Sequence, residues 1–293
     1  MALNVGIFKT RALTSLIFVL VMLAGLLWNT WSFLILLSVI HFGCWREYQR
    51  LIGKIDPDYL LISPYHKYGV MLAGWCFMLY ASRDAYPLAG ITLSQAGFWG
   101  GIVLLFVLPA LEVLFVQKIN FRNIGYSLLG LLYISLSLAF FVNLRIKYED
   151  ALMGDFTGKL LVLIIVLIFW VNDTMAYIIG SLFGKTPLTA ISPRKTWEGT
   201  LGGIVLAILV LGLIGYFVTS EFDWGIILQW MGLAAIASVA GTLGDLLESK
   251  LKRMADVKDS GQILPGHGGF LDRFDSLLFA LPFVWVYVLL FVK

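Results

Sequence analysis

Charge is scarce in this chain. Only 13% of its 293 residues are Asp, Glu, Lys or Arg, against 60% hydrophobic residues, about half the charged share of a soluble domain. That shortage excludes an ordinary water-soluble fold. The two cysteines, Cys44 and Cys76, lack C-x-x-C spacing, which excludes a thiol redox motif and leaves no material for a disulfide scaffold. Also missing are any polar stretch long enough for a separate soluble domain, any low-complexity segment and any internal repeat. The chain therefore reads as one membrane domain over residues 1–293.

Apolar runs long enough for a hydrocarbon core of about 30 Å recur throughout. They predict an all-α, polytopic protein of about nine spans: 12–27, 31–45, 68–81, 97–117, 122–143, 160–183, 200–218, 225–243 and 277–292. Lys9, Arg11 and the run that follows look like a secretory signal. No small-x-small cleavage site separates that run from the next, so it reads as an uncleaved first span. Lysine and arginine gather on the cytoplasmic side of short loops. With the N-terminus inside, only Arg83, Arg145, Lys147, Lys159 and Lys293 fall outside, out of 21 basic residues. The asymmetry predicts N-in and C-out, and it puts loops 184–199 and 244–276 on the cytoplasmic face.

The second of those loops carries the densest chemistry. In GDLLESKLKRMADVKDSGQILPGHGGFLDRFDS, Gly244 to Ser276, Asp245 and Glu248 are spaced to share one helix face. Asp272 and Asp275 repeat the spacing before the last span. Pro265, Gly266, Gly268 and Gly269 predict a tight turn between them. The donors are oxygens, with His267 the only imidazole, which favours magnesium over zinc. Magnesium completes its shell with water and substrate phosphate, and Lys250, Lys252, Arg253, Lys258 and Arg273 offer charge to such a phosphate. A solvated basic loop near anionic lipid would explain the lysines taken singly, but not the two acidic pairs with the H-G-G turn.

A second constellation runs from Trp170 to Thr200, WVNDTMAYIIGSLFGKTPLTAISPRKTWEGT. Asn172 and Asp173 lie within a span, where an acidic side chain costs about 2.5–3.5 kcal/mol on insertion scales; they should face a cavity or a partner helix. Gly180 and Gly184 read as close helix packing. Gly184-Lys185-Thr186 is no P-loop, because Ile179 stands where that motif needs glycine. Ser192, Arg194, Lys195 and Glu198 suit either nucleotide contacts or a helix start at the next span. Glu112 is expected to snorkel or to pair with a neighbouring helix, and His41 to lie at the interface.

Ser249-x-Leu251-Lys252-Arg253, then Lys258-Asp259-x-Gly261, then Leu264-Pro265-x-His267-Gly268-Gly269-Phe270-x-Asp272-Arg273-Phe274-Asp275 resembles the signature of the phosphatidate cytidylyltransferases. The blocks from Asn172 to Gly199 and from Gly244 to Ser249 also look like this family, whereas residues 1 to about 165 are generic membrane helix. The resemblance makes 166–293 the catalytic part. It implies an integral-membrane enzyme that condenses CTP with phosphatidic acid to CDP-diacylglycerol and pyrophosphate, in the bacterial inner membrane with its site facing the cytoplasm. It further implies a divalent-metal centre whose principal aspartates correspond to Asp245 and Asp272, a second, monovalent cation such as K+, and a homodimer. Asp275 and Glu248 are expected to support Mg2+, and Lys258, Arg273 and Lys195 to neutralise phosphates. His267 is expected to donate to phosphate, and Gly268 and Gly269 to admit it to the backbone. Asp173, Lys185, Ser192, Lys252 and Arg253 complete the expected substrate contacts. Membrane lipid is a partner and nucleic acid is not. Two other readings stay open: a cytidylyltransferase for another lipid phosphate, such as an isoprenoid phosphate, and an ion-coupled transporter using Glu112 and Asp173.

Overall fold

The computed structural model of the chain describes residues 5–83, 85–88, 90–115, 119–148, 155–218, 223–262 and 268–292. The architecture is helical. Its helices are α1 (Val5–Leu27), α2 (Thr30–Ile55), α3 (Pro64–Tyr80), α4 (Leu93–Phe115), α5 (Phe121–Gly130), α6 (Ser137–Lys147), α7 (Asp155–Phe183), α8 (Trp197–Val218), α9 (Trp224–Met254) and α10 (Leu271–Phe291). The two short strands β1 (Pro87–Leu88) and β2 (Ile91–Thr92) form an antiparallel hairpin before α4. Among the described residues six helical segments are long and apolar enough to cross a membrane: Leu93–Phe115, Phe121–Lys147, Thr157–Phe183, Trp197–Phe217, Trp224–Met254 and Leu271–Phe291.

Local sequence sets the helix ends. Asn29 and Ser32 form a capping box at α2, Ser63 caps α3 ahead of Pro64, and Asn120 caps α5. Each side-chain oxygen satisfies an N–H that the first helical turn leaves without a partner. Two helices outrun their apolar cores. The chain after Cys44 in α2 and after Leu243 in α9 keeps helix-forming Arg, Glu, Gln and Lys, so α2 continues to Ile55 and α9 to Met254.

The chain divides into two compact units, Met1–Lys159 with Leu251–Phe274, and Leu160–Lys250 with Asp275–Lys293. In the first, α3 packs on α4 through glycine: a Cβ on Gly97 would lie 2.7 Å from the Cys76 carbonyl oxygen, and one on Gly69 would strike Leu108. Between α5 and α6 the helix widens into a π-helical turn, Leu131–Leu136, of the kind that interrupts regular helices where a side chain is needed out of register. It aims Ser135 at α2, where the Ser135 hydroxyl accepts from Trp45 Nε1 at 2.8 Å and lies 3.0 Å from His41 Nε2. His41, expected at the interface, is instead fully buried, because this hydroxyl gives its ring a polar partner inside the bundle. Glu112 meets the expectation of a helix partner: its carboxylate lies 3.3 Å from His66 Nδ1. His66 Nε2 continues to the Ser127 hydroxyl at 2.8 Å, and Tyr59 reaches the same hydroxyl at 3.1 Å. Burial pushes the Tyr59 phenol above its ordinary pKa, so it stays a neutral hydrogen-bonding group.

In the second unit small residues let helix backbones meet. On α7 and α8, a Cβ on Gly199 would lie 2.6 Å from the Ala176 carbonyl oxygen, and one on Gly203 would lie 2.7 Å from that of Asn172. Tyr287 of α10 donates to the Gln229 carbonyl of α9 at 3.0 Å. The close approach replaces the hydrophobic drive that lipid tails cannot supply.

Candidate active site

The loop between α7 and α8 is a hairpin-like excursion. Pro187 pairs with Thr196 as an isolated antiparallel bridge, Leu188 N–H donates to the Lys195 carbonyl at 2.7 Å, and Trp197 N–H to that of Thr186 at 3.0 Å. Glu198 accepts from the N–H groups of Lys185 and Thr186, both at 3.2 Å, and from the Thr186 hydroxyl. The backbone that a P-loop would offer to phosphate is thus already taken by a carboxylate. Thr196 accepts from Gly199 N–H at 3.1 Å, so the helix-start reading of this stretch holds at its last residues. The hairpin delivers Lys195 to α9, where its ammonium pairs with the Asp245 carboxylate. The Ser249 hydroxyl, one turn on, donates to Asp245 at 3.3 Å. Ser192 closes the turn through its carbonyl, which accepts from Lys195 N–H.

Within the same unit, Asn172 is buried and donates from its amide nitrogen to Asp173 at 3.3 Å. Its side-chain oxygen is buried with no hydrogen-bond partner among the described residues. Glu248 is fully buried on α9, whereas the Asp245 side chain keeps 28% of its surface exposed. Asp275 is buried in the first turns of α10, accepting from Ser276 N–H at 2.7 Å.

The other cluster lies within the first unit. α9 ends with Asp256 in the left-handed conformation, φ 51°. Val257 N–H donates to the Lys252 carbonyl at 2.9 Å and Asp256 N–H to that of Arg253 at 3.2 Å, a Schellman-type ending that turns the chain sharply. The turn leads to Ser260, whose N–H and hydroxyl both lie 2.9 Å from Asp272 Oδ2. Gly269 N–H donates to the same oxygen at 2.8 Å, and Lys252 Nζ lies 2.7 Å from Oδ1. Two N–H groups and an ammonium therefore converge on one carboxylate whose side chain is only 9% exposed, with the Ser260 hydroxyl beside it, and together they fix its direction. Gly268 needs to be glycine: its φ is 83°, and a Cβ would sit 2.6 Å from Asp272 Oδ2.

Glu47 of α2 is the residue that sequence reasoning missed. It is buried, and its carboxylate accepts from Phe270 N–H at 3.0 Å, Leu271 N–H at 2.8 Å and the Ser260 hydroxyl at 2.7 Å. A Cβ on Gly269 would run into this carboxylate. The anion satisfies the opening N–H groups of α10, where the helix dipole favours negative charge. The only hint in the sequence was an acid set among the basic residues Arg46 and Arg50. Lys258 lines a small polar cleft of about 270 Å³ with Arg50 and Lys54, two further cations that the motif reading passed over. Arg253, Arg273 and Lys185 are exposed. His267 lies outside the described residues.

The donor chemistry suits a hard cation. Asp245 and Asp272 each already hold a lysine ammonium against an oxygen, and oxygen is the ligand that magnesium selects. Among the described residues no three His, Cys, Asp or Glu side chains gather as a metal-ligand group. A magnesium ion at either aspartate would complete its shell from water and substrate, its usual habit.

The model of the cytidylyltransferase family matches residues 9–291. Three relatives bear the name phosphatidate cytidylyltransferase. One, from Bacillus subtilis (strain 168), is 35% identical over 222 residues, 75% of this chain and 77% of its own length. One from Staphylococcus epidermidis (strain ATCC 12228) is 38% identical over 208 residues, 68% of this chain and 75% of its own. One from Staphylococcus aureus (strain COL) is 39% identical over 182 residues, 62% of this chain and 65% of its own. With a match that runs almost from end to end, the chain belongs to the cytidylyltransferase family.

Proposed function

We propose that this protein is a CTP:phosphatidate cytidylyltransferase that crosses the bacterial inner membrane nine times, N-terminus inside, and works at the cytoplasmic face. The observation that carries the reading is the Asp272 carboxylate held by Ser260, Gly269 and Lys252 within the very motif that resembles this family, in a chain whose relatives bear the activity's name.

A phosphate-monoester oxygen of the lipid attacks the α-phosphorus of CTP. The bond from that phosphorus to the oxygen bridging the β-phosphorus breaks, and pyrophosphate leaves with the electron pair. Phosphomonoesters have a second pKa of about 6, so the attacking oxygen needs no general base at neutral pH. The obstacle is repulsion, about 4 kcal/mol per charge pair at about 4 Å with the effective dielectric of a protein surface. Asp245 and Asp272 are the carboxylates assigned to magnesium, with Asp275 and Glu248 in support. The ion, when bound, withdraws negative charge from phosphate oxygens. Lys195 and Lys252 orient the two aspartates and meet phosphate as it arrives. Lys258 and Arg273 neutralise further phosphate charge, with Arg50 and Lys54 beside Lys258. Asp173, Lys185, Ser192 and Arg253 are assigned to the nucleotide, and His267 donates to a phosphate. Catalysis then consists of positioning and charge compensation. A K+ ion beside the magnesium and a homodimer belong to the same reading.

The experiment is a reconstitution: purified protein in detergent with labelled CTP, magnesium and a panel of lipid phosphates, scored for pyrophosphate and the liponucleotide. Phosphatidate should give both products. Turnover of an isoprenoid phosphate in preference to phosphatidate would reassign the acceptor, and no product with any lipid would overturn the reading.

A further inference from the structure

A cleft of about 1090 Å³ opens along α2 and α3, wholly within the first unit, and of the residues in the motif only Phe270 lines it. That volume lies at the top of the range of about 300–1,000 Å³ usual for small-molecule sites. Its α2 wall is built by Trp31, Leu34, Ser38, Phe42 and Arg46, spaced three or four residues apart so that they form one stripe of the helix. Its α3 wall is Lys67, Met71, Trp75 and Leu79 at the same kind of interval. The helices run antiparallel here, because Gln49 near the end of α2 donates to the Lys67 carbonyl near the start of α3 at 2.9 Å. Arg46 and Lys67, with Gln49, consequently stand at one end of a trough that is apolar apart from Ser38 along the rest of its length, and Trp31, Leu79 and Leu93 at the other.

From Trp31 to Arg46 the trough runs about 22 Å at the α-helical rise, more than one leaflet of a hydrocarbon core about 30 Å thick. We propose that this trough takes the acyl chains of a diacyl lipid phosphate, with Arg46 and Lys67 on its phosphate. The proposal rests on the reaction assigned above and names the place from which its lipid substrate is presented. Charge complementarity commits the site to an anionic headgroup. No ion pair among the described residues uses Arg46 or Lys67, and Lys67 Nζ lies 5.7 Å from the Tyr68 ring centroid, along a wall residue of the same trough. A guanidinium and an ammonium beside an apolar channel match a phosphate monoester on two chains, whereas a zwitterionic headgroup would bring its own cation against them.

The trough also abuts the candidate site through the backbone. Phe270 forms part of its wall and packs over Gly43, where a Cβ would lie 2.5 Å from the ring. The Phe270 N–H is held by Glu47, the residue after Arg46, and the preceding Gly269 N–H is held by Asp272. A phosphate at Arg46 thus sits on the helical turn that anchors the Asp272 segment.

The test uses the full-length protein in mixed micelles, varying the mole fraction of phosphatidate at saturating CTP and then CTP at saturating phosphatidate. R46A and K67A, both at exposed positions, should each raise the lipid KM about tenfold, the ratio equivalent to about 1.4 kcal/mol, with no matching rise in the CTP KM. V39W, which narrows the middle of the trough, should penalise a dipalmitoyl substrate more than a dihexanoyl one bearing the same headgroup. A photoactivatable phosphatidate should label α2 and α3, and unlabelled phosphatidate but not phosphatidylcholine should compete. Equal competition by phosphatidylcholine would make the trough a bulk-lipid groove and overturn the proposal. So would unchanged lipid KM values in both charge variants, or efficient disulfide formation between two copies through V39C. Wild-type protein that turns over no lipid phosphate would overturn the assigned reaction instead, and the photolabelling reads the trough apart from that outcome.

Discussion

At the scale of single residues, Asp272 is held from several sides. Its carboxylate accepts from two backbone N–H groups and faces a hydroxyl and an ammonium, so removing it leaves several buried donors without an acceptor as well as deleting the ligand proposed for magnesium. Asp272→Ala should drop turnover below about one thousandth of wild type, the scale of losing a preorganised electrostatic group. Pyrophosphate release reads this directly. His267→Asn should keep more activity than His267→Ala, because an amide N–H can still donate to phosphate; the opposite order would make the imidazole a proton carrier. The aspartates and lysines of this cluster were legible in the sequence from type and spacing. Glu47 was not, because nothing near it in the chain announces that its acceptors will be used by residues more than two hundred positions away. Arg50 and Lys54 were legible only as loop charge, and it takes the folded turn at Asp256 to bring Lys258 beside them.

Elements show the same division. Periodicity and apolar length located a helix at each of the nine segments read from the sequence, but hydropathy marks only the apolar part, so the polar ends of α2 and α9 were cut short. The π-helical turn at Leu131–Leu136 carries no local signal, since Leu, Tyr, Ile and Ser suit an α-helix as well. What selects it is the reach of Ser135 to Trp45 and His41. Gly180 and Gly184 were read as packing residues, and a Cβ on Gly180 would lie 3.5 Å from the Gly199 Cα; the tighter backbone contacts at Gly199 and Gly203 were not foreseen. Gly203→Leu should therefore lower thermal stability in detergent, by about 1–3 kcal/mol as overpacked cores do, with a depressed Tm as the readout. Glu47→Gln conserves shape but replaces an anion at the start of α10 with a neutral amide. Magnesium affinity, measured by titration calorimetry on the purified protein, should fall about 10–100-fold, as when an outer-shell partner of a metal ligand is lost.

For the whole molecule, composition alone was enough to place the chain in lipid, and the balance of lysine and arginine predicts which ends face which side. A cysteine-free variant carrying either Arg83→Cys or Lys258→Cys tests that prediction in intact cells. A membrane-impermeant thiol reagent should label the first and spare the second, and the reverse labelling would invert the proposed orientation.

Synthesis runs from the N-terminus, and that order has a consequence for Glu47. Its carboxylate is made early, yet two of the N–H groups that satisfy it belong to Phe270 and Leu271. Through most of translation the nascent chain carries a buried-to-be anion whose partners do not exist, and a product that stops short of α10 keeps that debt for life. Truncated chains should accordingly be conspicuous to membrane proteases, while chains that include Phe270 and Leu271 fall silent once those N–H groups reach Glu47.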